Sequence, residues 1–308
     1  MLPPPRFHHL HLNSVDPDAA IAFYMRQFPS TAKASWAGLP ALLSPNNVMI
    51  LFTKVDQPPA MSPPSAIWHF GWQVHDVRAN LALYQRCPDV ELRPLYTTDE
   101  GGYVLINSDT WPAPKGAAPG LTRAQIERAK AENVQPAGGA GFAYMSGPDG
   151  ALVECVGDYP AERFDHVHLW QEDPYAALDW YVEHLNATPR AEGDIPPKGS
   201  PDRRLRRGSE RSWPALVQEG MFREPRASVL FGDIALAWYS NQSDDPLVSS
   251  RGQLQDHLAF SVTDLDAWVD KLASEGVTFL EQLYRLGDTR AVMIEGPSRE
   301  ALELVEVA

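Results

Sequence analysis

Six side chains able to hold a divalent ion recur at equivalent places in the sequence. His9, His69, His166 and His257 each stand in the first strand-like run of a segment, and Glu154 and Glu303 each stand in a last one. Two imidazoles and one carboxylate form a facial triad that suits a divalent metal, above all iron(II), and leaves positions open for a substrate and dioxygen. Strand residues two apart share a face, so such side chains converge if paired units wrap around one cavity. One histidine on a strand is usually a hydrogen-bonded core or rim residue. The recurrence is what points to a metal.

The elements that must position these groups also recur. FHHLHLNSVDPDAAIAFYMRQF (7–28) overlays FDHVHLWQEDPYAALDWYVEHL (164–185) without a gap at an offset of 157 (166 − 9), agreeing at 9 of 22 places. That density of identity argues for duplication. At an offset of 188 (257 − 69), His69, Val74, Asp76 and Ala79 meet His257, Val262, Asp264 and Ala267. At 149, GPDGALVECV (147–156) overlays GPSREALELV (296–305), placing Glu154 on Glu303. The Pro- and Gly-rich stretch TWPAPKGAAPGLTRAQIERAKAENVQPAGG supplies most of the insertion between these two offsets.

Within the first segment, FHHLHLNS alternates with the period of a half-buried strand. DPDAAIAFYMRQF then reads as a helix capped by Asp16, with Pro17 in its first turn and Ile21, Tyr24, Met25 and Phe28 on one face. KASWAG, ALLS and VMILFTKV follow as strands separated by turn signals. The fold expected is α+β: four βαβββ modules paired into two domains, each a curved, incompletely closed mixed β-barrel with helices outside. Chain order suggests a domain at 1–160 (modules 1–60 and 61–160) and another at 161–308 (modules 161–248 and 249–308).

A chain of 308 residues with 44% hydrophobic and 21% charged residues can bury two cores. Its formal charge of −14 argues against nucleic acid, which needs a cationic face. Two cysteines, Cys87 and Cys155, suit a reducing compartment. The opening MLPPPRFHHL lacks an apolar signal core and no run is long enough for a membrane span, so a cytoplasmic protein is expected. Self-association into a homo-oligomer is left open.

These modules, with a histidine in the first strand, an Asp-led helix bearing Phe23-Tyr24 or Trp180-Tyr181, and the endings GPDGALVE and GPSREALE, resemble the vicinal oxygen chelate superfamily of glyoxalases, bleomycin resistance proteins and extradiol dioxygenases. The resemblance covers nearly the whole chain. It implies that His9, His69 and Glu154 hold one metal and that His166, His257 and Glu303 hold another. The metal implied is Fe(II) first, with Mn(II), Zn(II), Ni(II) or Co(II) as alternatives. Four modules look most like an extradiol-type oxidoreductase acting on a small molecule such as an aromatic diol. Tyr144, four residues before Pro148, matches that group's tyrosine and would be catalytic.

The match departs from the family in two respects. No histidine stands between 76 and 165 to act as the dioxygenases' acid/base group, and VMILFTKV and IALAWYSN lack the carboxylate that glyoxalase-like members use as a fourth ligand. A lyase or isomerase, or a binding protein of the resistance type, therefore stands beside the oxygenase reading. His11 and His168, two positions beyond proposed ligands, would share their cavity as alternative ligands or as supporting or substrate-contacting groups. His8 and His75 should be exposed and Cys155 inert core. RRLRR (203–207) reads as a solvated loop, and Tyr96, Tyr103 and Trp72 as packing aromatics.

Overall fold

The computed structural model describes residues 2–92, 131–132, 142–157, 159–190, 195–203, 226–241 and 245–307. The first module runs β1 (Arg6–Ser14), α1 (Pro17–Gln27), β2 (Ala32–Trp36), β3 (Leu39–Leu43) and β4 (Met49–Lys54). The second runs β5 (Ile67–Gln73), α2 (Val77–Tyr84), β6 (Glu91–Leu92), β7 (Phe142–Ser146) and β8 (Leu152–Val156). The third comprises β9 (Arg163–Gln171), α3 (Pro174–Leu185), β10 (Thr188–Pro189), β11 (Arg226–Phe231) and β12 (Ile234–Ser240). The fourth comprises β13 (Gln255–Val262), α4 (Leu265–Ser274), β14 (Phe279–Leu286), β15 (Thr289–Glu295) and β16 (Ala301–Glu306).

Each helix starts at an aspartate for the same physical reason. Asp16, Asp76, Asp173 and Asp264 accept from the backbone N–H of Ala19, Ala79, Ala176 and Ala267 at 3.0, 2.9, 3.1 and 3.0 Å. Such caps satisfy an otherwise unpaired helix donor and are worth about 1 kcal/mol each. Pro17 and Pro174 occupy the first turn, where the missing N–H costs nothing.

The strands form two eight-stranded mixed sheets, ordered β14-β15-β16-β13-β1-β4-β3-β2 and β10-β11-β12-β9-β5-β8-β7-β6. In every module the first strand runs parallel to the last, and the two modules of a sheet meet through antiparallel first strands, β1 on β13 and β5 on β9. The first module therefore joins the fourth, and the second joins the third. The division into 1–160 and 161–308 suggested by chain order is corrected: one lobe is discontinuous and the other is continuous. The physical reason lies in the connections. Few residues separate the end of β8 at Val156 from the start of its sheet neighbour β9 at Arg163, whereas the segments 55–66 and 245–254 lie side by side between the lobes, bridged at Ala60↔Gln253 and Ser65↔Val248.

Apolar side chains of both sheets share one core. Phe7 stacks on Phe164 at 5.7 Å, Phe28 on Trp72 at 4.6 Å, and Phe231 meets Phe260 at 4.4 Å. Trp72 is thus a packing residue. Cys155 is likewise buried, beside the Tyr84 hydroxyl. Among the described residues no helix is long and apolar enough to cross a membrane.

Candidate metal centres

The histidines and glutamates converge in two groups, and the module pairing decides their membership. In the lobe of the second and third modules, Nε2 of His69 (β5) and Nε2 of His166 (β9) lie 2.9 and 3.1 Å from the same oxygen of Glu154 (β8). In the other lobe, Nε2 of His9 (β1) and Nε2 of His257 (β13) lie 3.4 and 3.7 Å from Oε2 of Glu303 (β16). The sets implied by chain order exchange a histidine: His166 stands with His69 and Glu154, and His9 with His257 and Glu303. This corrects the grouping, because the first strand of each lobe's partner module is supplied by the β5–β9 and β1–β13 pairings.

A repeated backbone irregularity aims these rings. The register of β1 on β13 skips His8 and Asp256, and that of β5 on β9 skips Trp68 and Asp165. One extra residue thus bulges out immediately before each of the four histidines. Bulges re-aim neighbouring side chains and increase local twist. Three of the four bulge residues then hold the adjacent ring: Asp165 Oδ2 lies 2.8 Å from His166 Nδ1, Asp256 Oδ1 lies 2.7 Å from His257 Nδ1, and His8 Nδ1 lies 2.8 Å from His9 Nδ1. With Nδ1 engaged, Nε2 is left for an ion, the arrangement in which an outer carboxylate fixes the ring and raises its basicity. His8, expected to be exposed, is half-buried, because the bulge folds it back onto His9 and Trp36. His75 is exposed.

Gly71 is the second device. It faces His166 across the β5–β9 pair, and a Cβ there would stand 2.0 Å from the imidazole Cε1. The ring occupies the space that a side chain would fill. The sequence signal for these features was present in the dipeptides Asp165-His166 and Asp256-His257, but nothing in periodicity marks a bulge.

The electrostatics fit a cation. Burial drives the His9 pKa well below its usual value, helped by the neighbouring imidazoles, and lowers His69 to about 4 against the pull of Glu154. For His166, burial is outweighed by the Glu154 and Asp165 carboxylates, which push the imidazole up to about 10. His257 is pushed up to about 8 in the same way, burial being outweighed by Asp256 and Glu303. Nε2 of His9, Nε2 of His257 and Oε2 of Glu303 are buried and make no hydrogen bond. Polar atoms left so are costly, and a shared ion would satisfy all three. Ligand atoms of His69, Glu154, His166 and His168 lie within 4.8 Å of one another in one lobe, as do those of His9, His11 and His257 in the other, where Glu303 stands beside His9 and His257; both groups suit a divalent metal.

Surrounding groups differ between the lobes. Tyr144 donates its hydroxyl to Glu154 Oε2 at 3.2 Å, and burial with the nearby carboxylate raises its pKa well above the usual range, so it remains a donor. Tyr284 donates to the opposite oxygen of Glu303, a role the sequence did not reveal because Tyr284 lies on β14 rather than at Met293 on β15. His168 lies in the first group, its Nδ1 3.8 Å from Glu154 Oε2, buried and without a hydrogen bond, and its pKa is driven well down by burial and two neighbouring imidazoles. His11 lies in the second, where Nε2 is 2.7 Å from Thr53 Oγ1 and the ring stacks on His257 at 4.4 Å. The places facing Glu154 and Glu303 in the partner modules are taken by Ala237, beside His168, and Leu51, beside His11. No fourth carboxylate enters either group from those strands. Tyr96 and Tyr103 lie outside the described residues, as does 204–207 of the RRLRR run; Arg203 binds Asp179 at 2.8 Å.

Residues 163–304 match the model of the Glyoxalase/Bleomycin resistance protein/Dioxygenase superfamily. The matched residues span the third and fourth modules, and the first two modules repeat the same element order. Glyoxalase I from Zea mays is similar over 98% of this chain and 92% of its own, with 16% identity and a TM-score of 0.62. A putative dioxygenase from Bacillus subtilis subsp. subtilis str. 168 is similar over 99% of this chain and 86% of its own, with 13% identity and a TM-score of 0.53. At these identities the likeness establishes the fold. Among curated proteins, none matches the chain by sequence.

Proposed function

We propose that the protein is a divalent-metal enzyme acting on a small molecule with adjacent oxygen atoms, its ion held by His69, His166 and Glu154, with His9, His257 and Glu303 forming a second site. The observation that carries this reading is the convergence of two imidazole Nε2 atoms on one Glu154 oxygen, at 2.9 and 3.1 Å, in a buried group. When bound, the ion would supply Lewis acidity to two substrate oxygens and, as iron(II), the capacity to use dioxygen. The chain's own groups do the rest. Asp165 fixes the His166 ring, Tyr144 orients Glu154 through its hydroxyl, and the buried strands exclude water from the group.

An extradiol-type oxidoreductase with an aromatic diol is the first form of this reading. A lyase or isomerase is the second, favoured by His168: a neutral imidazole with Nδ1 free is suited to take a proton from a carbon next to a carbonyl. Reconstitution without oxygen, first with iron(II) and then with manganese(II), separates them. Oxygen uptake coupled to diol consumption only with iron(II) supports the oxygenase. Turnover without oxygen supports the isomerase, and no turnover of diols or hydroxycarbonyls with either ion contradicts both.

A further inference from the structure

Beside the His69–His166–Glu154 group lies a cavity of about 720 Å³. Its position follows from the strand register. Moving one rung along the same face, Glu154 gives way to Leu152, Tyr144 to Ser146 and His168 to Trp170, and all three of these residues line the cavity. The bulge residue Trp68 also lines it, its ring stacked on Trp170 at 4.0 Å. The opposite lobe contributes Gln255. Its Nε2 donates to Trp68 O at 2.9 Å, and its Oε1 is buried with no hydrogen-bond partner. Gln255 is only 4% exposed, so this acceptor is not satisfied by bulk water. A buried acceptor left unpaired is costly and favours whatever brings it a donor.

Among the described residues, the other lobe does not repeat the stacked indoles. By the repeat offsets, Trp68 corresponds to Asp256 (256 − 68 = 188) and Trp170 to Asn13 (170 − 13 = 157). There Asn13 Nδ2 donates to Asp256 Oδ2 at 3.2 Å and to Gln253 O at 2.7 Å, so a hydrogen-bonded polar pair replaces the stacked indoles. Among the described residues lining the 720 Å³ cavity there is no Lys, Arg or His, whereas Glu91 is present. An anionic substrate arm would meet no counter-charge from them.

We infer that this cavity receives the part of the substrate remote from the ion, that this part is a flat, uncharged aromatic group bearing an N–H or O–H donor, and that Gln255 Oε1 selects it. Turnover then belongs to the His69–His166–Glu154 site, with Gln255 reading specificity from the opposite lobe. This assignment rests on the proposed metal reading for the reacting end only. The aromatic slot involves none of the metal-binding side chains, so it can be tested with or without an ion.

Calorimetric titration with indole, and with benzofuran as its equally shaped analogue lacking the N–H, tests the assignment. Indole is expected to bind the wild-type chain roughly tenfold more tightly than benzofuran. Gln255→Leu should bring the ratio near one, Trp170→Ala should weaken both ligands, and indole-5-carboxylate should bind more weakly than indole. A wild-type ratio near one, an unchanged ratio in Gln255→Leu, carboxylate binding as tight as indole, or no saturable indole binding would each overturn the assignment. Because the wild-type comparison needs no variant, misfolding of a mutant cannot rescue it. Loss of metal uptake with intact indole discrimination would sink the metal reading alone. Normal metal uptake without discrimination would sink only the slot.

Discussion

Gly71 and His166 share one volume: the absent side chain of the first is the space taken by the ring of the second, with 2.0 Å between the imidazole Cε1 and the place a Cβ would occupy. Gly71→Ala must therefore displace either the strand or the ligand. The expected cost is about 1–3 kcal/mol of stability, typical of overpacking in a close-packed interior. Metal affinity of the His69–His166–Glu154 site should fall at least roughly tenfold. Thermal unfolding and manganese(II) titration of this variant check both, and unchanged affinity would mean that the ring is not fixed by the strand pairing.

Proton release should differ between the two sites. An ion binds unprotonated imidazole, so each ligand that is protonated in the free chain gives up its proton. His257 is held up to about 8, burial being outweighed by Asp256 and Glu303, so affinity at its site should fall as pH drops below about 8 and level off above it. His166, held up to about 10 where Glu154 and Asp165 outweigh burial, remains protonated over a wider range. Affinity at that site should keep rising from pH 8 towards 10. Titrations of His9→Ala and His166→Ala variants, each retaining one site, check the two profiles separately.

The repeat is broken at a pair of buried tyrosines. Tyr181 donates to Glu300 at 2.8 Å, while its counterpart Tyr24 (181 − 157) has a buried hydroxyl with no hydrogen-bond partner, because Glu300 corresponds to Ala151 (300 − 149). Tyr181→Phe should cost about 1–2 kcal/mol, since it removes a donor to a buried carboxyl group. Tyr24→Phe should be neutral or slightly stabilising. Denaturant unfolding of the two variants measures the contrast, and equal costs would contradict it.

Glu300 gives that contrast a pH signature. Burial raises its pKa against the donors Gln171, Tyr181 and the Ser298 N–H. A raised folded-state pKa contributes stability that is complete below the unfolded value and is lost as pH rises through the folded one. The stability of the wild type relative to Glu300→Gln should therefore decline as pH rises above about 4.5. A relative stability that rises with pH would contradict the burial of this carboxyl.

Much of this molecule was legible in its sequence because the repeat preserves polar landmarks. The Asp caps, the strand-helix change of period and the aligned histidines and glutamates each have a local cause, and each marks its module without reference to the others. Which modules share a sheet is not local. It depends on the crossing segments 55–66 and 245–254, and chain order alone favours joining neighbours. The wrong pairing exchanged His9 and His166 between the expected ligand sets while leaving every residue type in place. The bulges at His8, Trp68, Asp165 and Asp256 were equally hidden, because a bulge exists only relative to a partner strand. The role of Tyr284 was hidden because its contact with Glu303 joins strands β14 and β16, and alignment of the repeats shows no contact between strands.

Metal content per chain, measured on wild type and on two double variants, tests the central claim most directly. Wild type should hold two ions. Glu154→Ala/His166→Ala disables one lobe twice and should keep one, whereas His166→Ala/His257→Ala strikes both lobes and should keep none. The account is contradicted if the wild type takes up no ion, or if the first double variant, correctly folded, loses both.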